Sequence, residues 1–463
     1  MNTAAEPLAP ASRHEPGAPR AATGAATPFE VWLVRILVAA SFTFCFLPAN
    51  FTWGNDDFEA NLSAGSLATQ LEFGSIFLGG AWLAWRHPEW TLLRLRRANI
   101  FLVAFVAFAL VSVAWSAYPV VTLKRATQLV GFFLVGTAIS APVGSSRQVL
   151  QVLMATLTTL LVISLIVVAV NPRVGIDTML GNAWRGLFLQ KNTTGQAAAI
   201  CSLLWLRECV GSRLFPRGVC VTALLFSLFM LVMAKSSTSL LVFLIGATLY
   251  LCMRRQYVVT RMPVWAPVMA VVALVLLAVH VFYVLNGHLP GWDDIAGSIG
   301  RLFGKDSDLT GRTDIWDLVM MEVRRHPALG TGYGAFWLGL GGPSDYISRE
   351  LYWIPLQSHN GYLDVINELG LAGLGIALCV FARHLLLLSR LIAIDREEGA
   401  MHFVIFVLLL IANVTESELF RGTLFYNILF FYSLCSVASQ VVLQDVVEAS
   451  ERSAPESVAR VGA

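Results

Sequence analysis

The sequence predicts an all-α, polytopic membrane protein with about twelve transmembrane helices and one large, partly helical outer loop before helix ten. Three observations predict it. The chain is 56% hydrophobic and 13% charged, whereas soluble domains carry about 25% charged residues. Apolar runs recur from residue 31 to residue 440, each near the roughly 20 residues that a helix needs to cross a hydrocarbon core. A single long polar interval, 286–358, interrupts that alternation.

The elements follow in order. Residues 1–30, rich in Ala and Pro, read as a disordered cytoplasmic tail. They do not form a signal peptide, because the apolar run starts late and no small-residue cleavage site closes it. Candidate spans are 31–48, 64–85, 99–116, 122–140, 148–170, 193–208, 217–234, 237–253, 263–285, 359–389, 401–416 and 420–440. Each must be helical, since lipid offers no partner to open strands. Together they form one transmembrane domain, 31–440, and residues 441–463 form a polar cytoplasmic tail.

Side assignment follows from the bias of Lys and Arg toward the cytoplasmic loops. With the N-terminus inside, the even-numbered connectors hold Arg94, Arg96, Arg97, Arg147, Arg213, Arg254, Arg255 and Arg390. The first outer connector, around Asn55-Asp56-Asp57, has no Lys or Arg. Both termini are therefore expected inside and the 286–358 loop outside. Outer cations then need a reason: Arg185 and Lys191 before span six, Lys235 before span eight, Arg312 and its neighbours in the loop, and an isolated Arg421. Random surface charge is one reading; an anionic ligand such as a phosphate is the other.

The net charge of +2 comes with no basic tail or stripe, so nothing points to nucleic acid. All seven cysteines lie in apolar segments or short connectors. A disulfide framework is disfavoured and no metal-ligand spacing is present. Asp306-Ser307-Asp308 has the form of a metal–nucleotide motif, but nucleotide sugars do not occur outside the cell membrane. No Gly-rich phosphate loop with Lys is present either.

Three places carry candidate chemistry. Lys191 and Asn192 open span six, where a helix N-terminus favours an anion; equally, Lys191 snorkels and Asn192 caps. Residues 312–326 read as an amphipathic helix, with Ile315, Trp316, Val319, Met320 and Val323 on one face. That face is expected to lie on the membrane interface. Arg312 opposes the dipole in its first turn, as a ligand-binding residue or as a solvated end. His359, between Ser358 and Asn360, opens span ten. It is either a proton acceptor for a hydroxyl or a boundary histidine bonded to backbone.

Taken together, these segments resemble the O-antigen ligase/polymerase superfamily of bacterial inner-membrane glycosyltransferases. The resemblance rests on Lys191-Asn192, Gly311-Arg312 with Trp316, and Pro327-Ala328-Leu329-Gly330-Thr331-Gly332-Tyr333-Gly334. It also rests on Ser358-His359-Asn360-Gly361-Tyr362 running to Glu368-Leu369-Gly370-Leu371-Ala372-Gly373, and on Asn413-Val414-Thr415-Glu416-Ser417. It implies a GT-C-like fold and a metal-independent, cofactor-free, inverting transfer at the periplasmic face. The implied donor is an undecaprenyl-pyrophosphate-linked oligosaccharide, and the acceptor a glycan or lipid A-core. Membrane lipid and other polysaccharide-assembly proteins, such as a flippase or a chain-length regulator, are the implied surroundings.

On that resemblance His359 activates the acceptor hydroxyl, with Asn360 in support. Arg312, Arg185 and Lys191 bind the pyrophosphate, supported by Asn192. Many members carry an arginine at the start of span eight; here the place reads Ala234-Lys235-Ser236-Ser237-Thr238-Ser239. Lys235 stands in without a bidentate fork. This Ser/Thr-rich form is similar to ExoQ-like exopolysaccharide proteins and favours a polymerase over a ligase. A transporter of lipid-linked sugars is disfavoured, because the large loop does not divide two equal halves.

Overall fold

The structure is a computed structural model that describes residues 26–46, 67–97, 99–140, 145–178, 181–211, 215–254 and 310–459. The expected span 263–285, the first part of the outer loop and Asp306-Ser307-Asp308 lie outside the described residues.

Every other expected span coincides with a helix. These are α1 (Pro28–Phe46), α2 (Leu67–Arg86), the short α3 (Pro88–Arg97), α4 (Ile100–Val111), α5 (Pro119–Ile139) and α6 (Ser146–Val170). After a two-stranded hairpin of β1 (Ile176–Asp177) and β2 (Ala183–Trp184) come α7 (Lys191–Val210), α8 (Arg217–Met233) and α9 (Ser237–Arg254). The chain continues through α10 (Thr310–Arg325), α11 (Asp345–Leu351), α12 (Gly361–Ile394), α13 (Arg396–Ala412) and α14 (Phe425–Ala459). Among the described residues, five helices are long and apolar enough to cross a membrane: α1, α6, α9, α12 and the Phe425–Glu448 part of α14. Helix α14 forms the middle of the bundle, with 89% of its apolar window buried, and it continues well past the expected limit at residue 440.

The end of the bundle away from α10 is closed by a buried charged network. Arg207 of α7 pairs with Glu398 and, at 3.6 Å, with Glu397 of α13. Glu398 also meets Ser146 of α6 and lies 3.6 Å from His402, whose Nδ1 is 2.8 Å from Ser433 Oγ of α14.

The other end carries a second, smaller core. Ile315, Val319 and Val323 of α10 pack with Phe336, Trp337, Ile347 and Leu363. This corrects the expectation that the apolar face of α10 lies on lipid: Phe336, Trp337 and α11 cover it, and protein replaces the bilayer.

Span ten is not one continuous helix. At Gly370 the backbone takes φ 66°, ψ −170°, a region open almost only to glycine. The loop 327–332 inserts beside this break. Leu371 and Ala372 N–H donate to the Pro327 and Ala328 carbonyls (2.9 and 3.1 Å), while Thr331 and Gly332 N–H donate to the Asn367 and Glu368 carbonyls (3.0 and 2.9 Å). A Cβ on Gly370 would stand 2.3 Å from the Ala328 backbone, and one on Gly330 2.4 Å from that of Glu368. Backbone groups freed by the break are thus satisfied by the loop, which in turn is fixed to α12.

Candidate functional site

The connector after α13 builds the platform. Asn413 Oδ1 accepts the N–H groups of Glu418 (2.9 Å) and Leu419 (2.7 Å), curling the chain back. The carbonyls of Asn413 and Glu416 then receive the Gly361 N–H at 2.9 and 3.0 Å, and Ser417 Oγ accepts the Asn360 N–H at 2.9 Å. Asn360 caps α12, its Oδ1 accepting from Tyr362 and Leu363 N–H at 3.1 Å each. Ser358 is buried, and its carbonyl takes the Trp316 indole N–H at 2.7 Å. Held from both sides, His359 adopts φ 54°. For a residue with a side chain that conformation costs of order 1–3 kcal/mol, and such strain gathers at functional sites.

The histidine side chain stays 28% exposed. Its Nδ1 lies 3.1 Å from Gln357 Nε2 and 3.6 Å from Glu416 Oε2. Arg312 comes from the first turn of α10. Its Nη1 donates to the Thr415 carbonyl at 2.9 Å, and its Nη2 stands 3.8 Å from Glu416 Oε1. One carboxylate therefore lies between an imidazole and a guanidinium. Glu416 also lines a small cleft with Asn192 and Gln196 of α7, Ser236 just before α9, Ser239 in its first turn, and Tyr426. Next to it, Glu418 accepts from Gln196 Nε2 (2.7 Å) and Tyr426 N–H (2.8 Å). Burial pushes the Glu418 carboxyl up to about 7, and the nearby charge of Glu416 adds to the effect.

Residues 222–378, which include Arg312, His359, Asn360 and the inserted loop, match the family model Wzy_C, O-antigen ligase. Over 309 residues the chain is 25% identical to the exopolysaccharide production protein ExoQ of Rhizobium meliloti (strain 1021), covering 65% of this chain and 68% of that protein. In sequence the chain is therefore similar to the O-antigen ligase family, over the segment that holds His359 and Arg312, and to ExoQ.

The expected site residues divide into two groups. His359 and Arg312 meet at Glu416, Asn192 shares its cleft, and Asn360 sets the start of α12. Lys191 opens α7 at the same wall, half-buried. Arg185 and Lys235 stand apart. Arg185 Nε donates to the Val174 carbonyl at 2.7 Å, and its own carbonyl takes the Thr194 hydroxyl at 2.7 Å. Lys235 is exposed and donates to the Gly181 carbonyl at 2.6 Å. Both cations brace the loop that overlies the N-terminus of α7.

Sequence reasoning gave no role to several groups at this end. Glu416 was visible only as part of a connector; its signal is an acid on a short turn opposite two basic residues. Arg421 is not isolated: its Nη1 pairs with Asp364 at 3.1 Å and its Nη2 donates to the Leu356 carbonyl at 3.3 Å. Arg125 of α5 donates to the Gly334 carbonyl, and Glu368 accepts the Gly334 N–H at 2.8 Å. Buried Asp364 also accepts the Trp337 indole N–H at 3.0 Å.

Proposed function

We propose that the protein polymerises oligosaccharide repeat units carried on undecaprenyl pyrophosphate, by metal-independent, inverting transfer at the periplasmic face of a bacterial inner membrane, with both termini cytoplasmic. The observation that carries this reading is the convergence of His359 and Arg312 on Glu416, in a cleft shared with the mouth of α7. With the Nδ1 proton directed to Glu416, the Gln357 amide turns so that its oxygen rather than its N–H2 faces Nδ1, and Nε2 is left to accept a proton. The acceptor hydroxyl attacks the anomeric carbon and its proton passes to Nε2. The bond from that carbon to the carrier oxygen breaks, and the pyrophosphate leaves with the electron pair.

Developing charge on the leaving group needs oriented cations. Arg312 retains N–H groups beyond the one given to Thr415, and the N-terminus of α7 adds Lys191 and a positive helix end. Arg185 and Lys235 hold the loop above and add to the positive field; Asn192 lines the cleft.

The test uses purified protein with lipid-linked repeat units. His359→Ala is expected to form no glycosidic bonds while remaining folded in detergent, and normal turnover would overturn the assignment. The match to an O-antigen ligase model supports a second reading, transfer of finished glycan to lipid A-core. A deletion strain separates the two: single repeat units without polymer mean polymerase, and intact polymer left on its carrier means ligase.

A further inference from the structure

A second recess lies at the far end of α10. Arg312 lies in the first turn of that helix and Arg325 at its last residue, and thirteen residues at 1.5 Å per residue put them about 20 Å apart. There a groove of about 570 Å³ is lined by Trp115, Tyr118, Glu322, Arg325, His326 and Thr331, among others. The two aromatic residues are half-buried, and the side chains of Arg325 and His326 are 63% and 55% exposed. Glu322 accepts from Arg325 Nη1 at 2.9 Å and lies 3.5 Å from His326 Nε2.

Trp and Tyr near a span end usually float in the bilayer interface. Here both are fixed to the outer segment instead. The Trp115 indole N–H donates to the Leu329 carbonyl and the Tyr118 hydroxyl to the Gly341 carbonyl, each at 3.2 Å. The result is a rigid aromatic surface beside a charged set that both donates and accepts. A sugar ring presents matching chemistry: a C–H face for the aromatic ring, and hydroxyls for guanidinium, imidazole and carboxylate.

We propose that this groove is a glycan subsite, holding sugar units of the substrate several rings away from the bond being formed. The inference rests on the glycosyl-transfer reading of the His359 site. Contacts made there are equal in ground and transition states, so they lower KM for long substrates and leave kcat unchanged.

Two measurements test it, with wild-type protein and an Arg325→Ala/His326→Ala double variant, which changes only exposed side chains. The first titrates size-graded oligosaccharides, hydrolysed from the host's own surface polysaccharide, against tryptophan fluorescence; Trp115→Phe identifies the reporting ring. Affinity is expected to rise with oligosaccharide length and to fall by about tenfold or more in the double variant. The second compares kinetics on substrates of one and of several repeat units. The variant is expected to raise KM only for the longer ones and to make shorter product. Equal oligosaccharide affinity in wild type and variant, or unchanged product length, overturns the proposal. If His359→Ala stays active while the double variant still loses oligosaccharide binding, the catalytic reading fails and the subsite stands.

Discussion

Glu416→Gln is the most informative single change at the site. The carboxylate lies 3.6 Å from His359 Nδ1 and 3.8 Å from Arg312 Nη2, with side-chain exposures of 14%, 28% and 24% for the glutamate, histidine and arginine. At 3.6 Å a full imidazolium is worth roughly 1 kcal/mol of attraction in water and about 5 kcal/mol at an effective dielectric of 20. Partial exposure puts the value toward the low end, about 2 kcal/mol, or roughly thirtyfold in rate. The imidazolium forms only as the acceptor proton moves, so the loss falls on kcat. Arg312, freed from its ion-pair partner, keeps or gains strength toward phosphate, and the KM for the lipid-linked donor does not rise. Steady-state kinetics in detergent or nanodiscs measure both constants, with Glu416→Asp expected to recover part of the loss. A kcat within about twofold of wild type, or a raised donor KM with normal kcat, would refute the argument that Glu416 positions the histidine.

Two further outcomes follow from the fold. Gly370→Ala introduces strain of order 1–3 kcal/mol at a positive φ and a clash that displaces the 327–332 loop, breaking backbone bonds worth about 1 kcal/mol each. A lower melting temperature and lost activity are expected. Gly375→Ala in the same helix, where a Cβ meets nothing within 4 Å, serves as the control and is expected to be neutral or stabilising. Glu418 sets a pH dependence. Its folded carboxyl is raised to about 7 from 4.5, so between those values the folded protein holds a proton that the unfolded chain has released. Stability therefore falls as pH rises through that window, by about 3 kcal/mol in total, and is level above it. Melting temperatures from pH 4.5 to 7.5 should show this slope in wild type and lose it in Glu418→Gln; the same slope in the variant would sink the assignment.

The helix positions were legible because a bilayer imposes one long apolar run per crossing, and that signal is local. The break at Gly370 was not. A lone glycine in an apolar run looks like a tolerated helix residue, and the partner that stabilises the break, 327–332, belongs to another segment. The apolar face of α10 was read correctly as a stripe and wrongly given to lipid, since periodicity does not distinguish one apolar partner from another. His359 and Arg312 stood out as polar residues at span mouths. Glu416 did not, because its meaning is its distance to both. Arg125 lay inside a run that reads as membrane, and its bond to the Gly334 carbonyl comes from a segment far away in sequence.

The buried network at the far end bears on how the chain is made. Arg207 and Glu398 are 191 residues apart in sequence. At 5–20 residues per second, synthesis leaves Arg207 without this partner for roughly 10–40 s. An unmatched charge in such a place is strongly destabilising. A nascent chain halted before Arg396 therefore lacks both glutamates that pair with Arg207, and such a chain is expected to be cleaved faster by membrane proteases than the full-length protein.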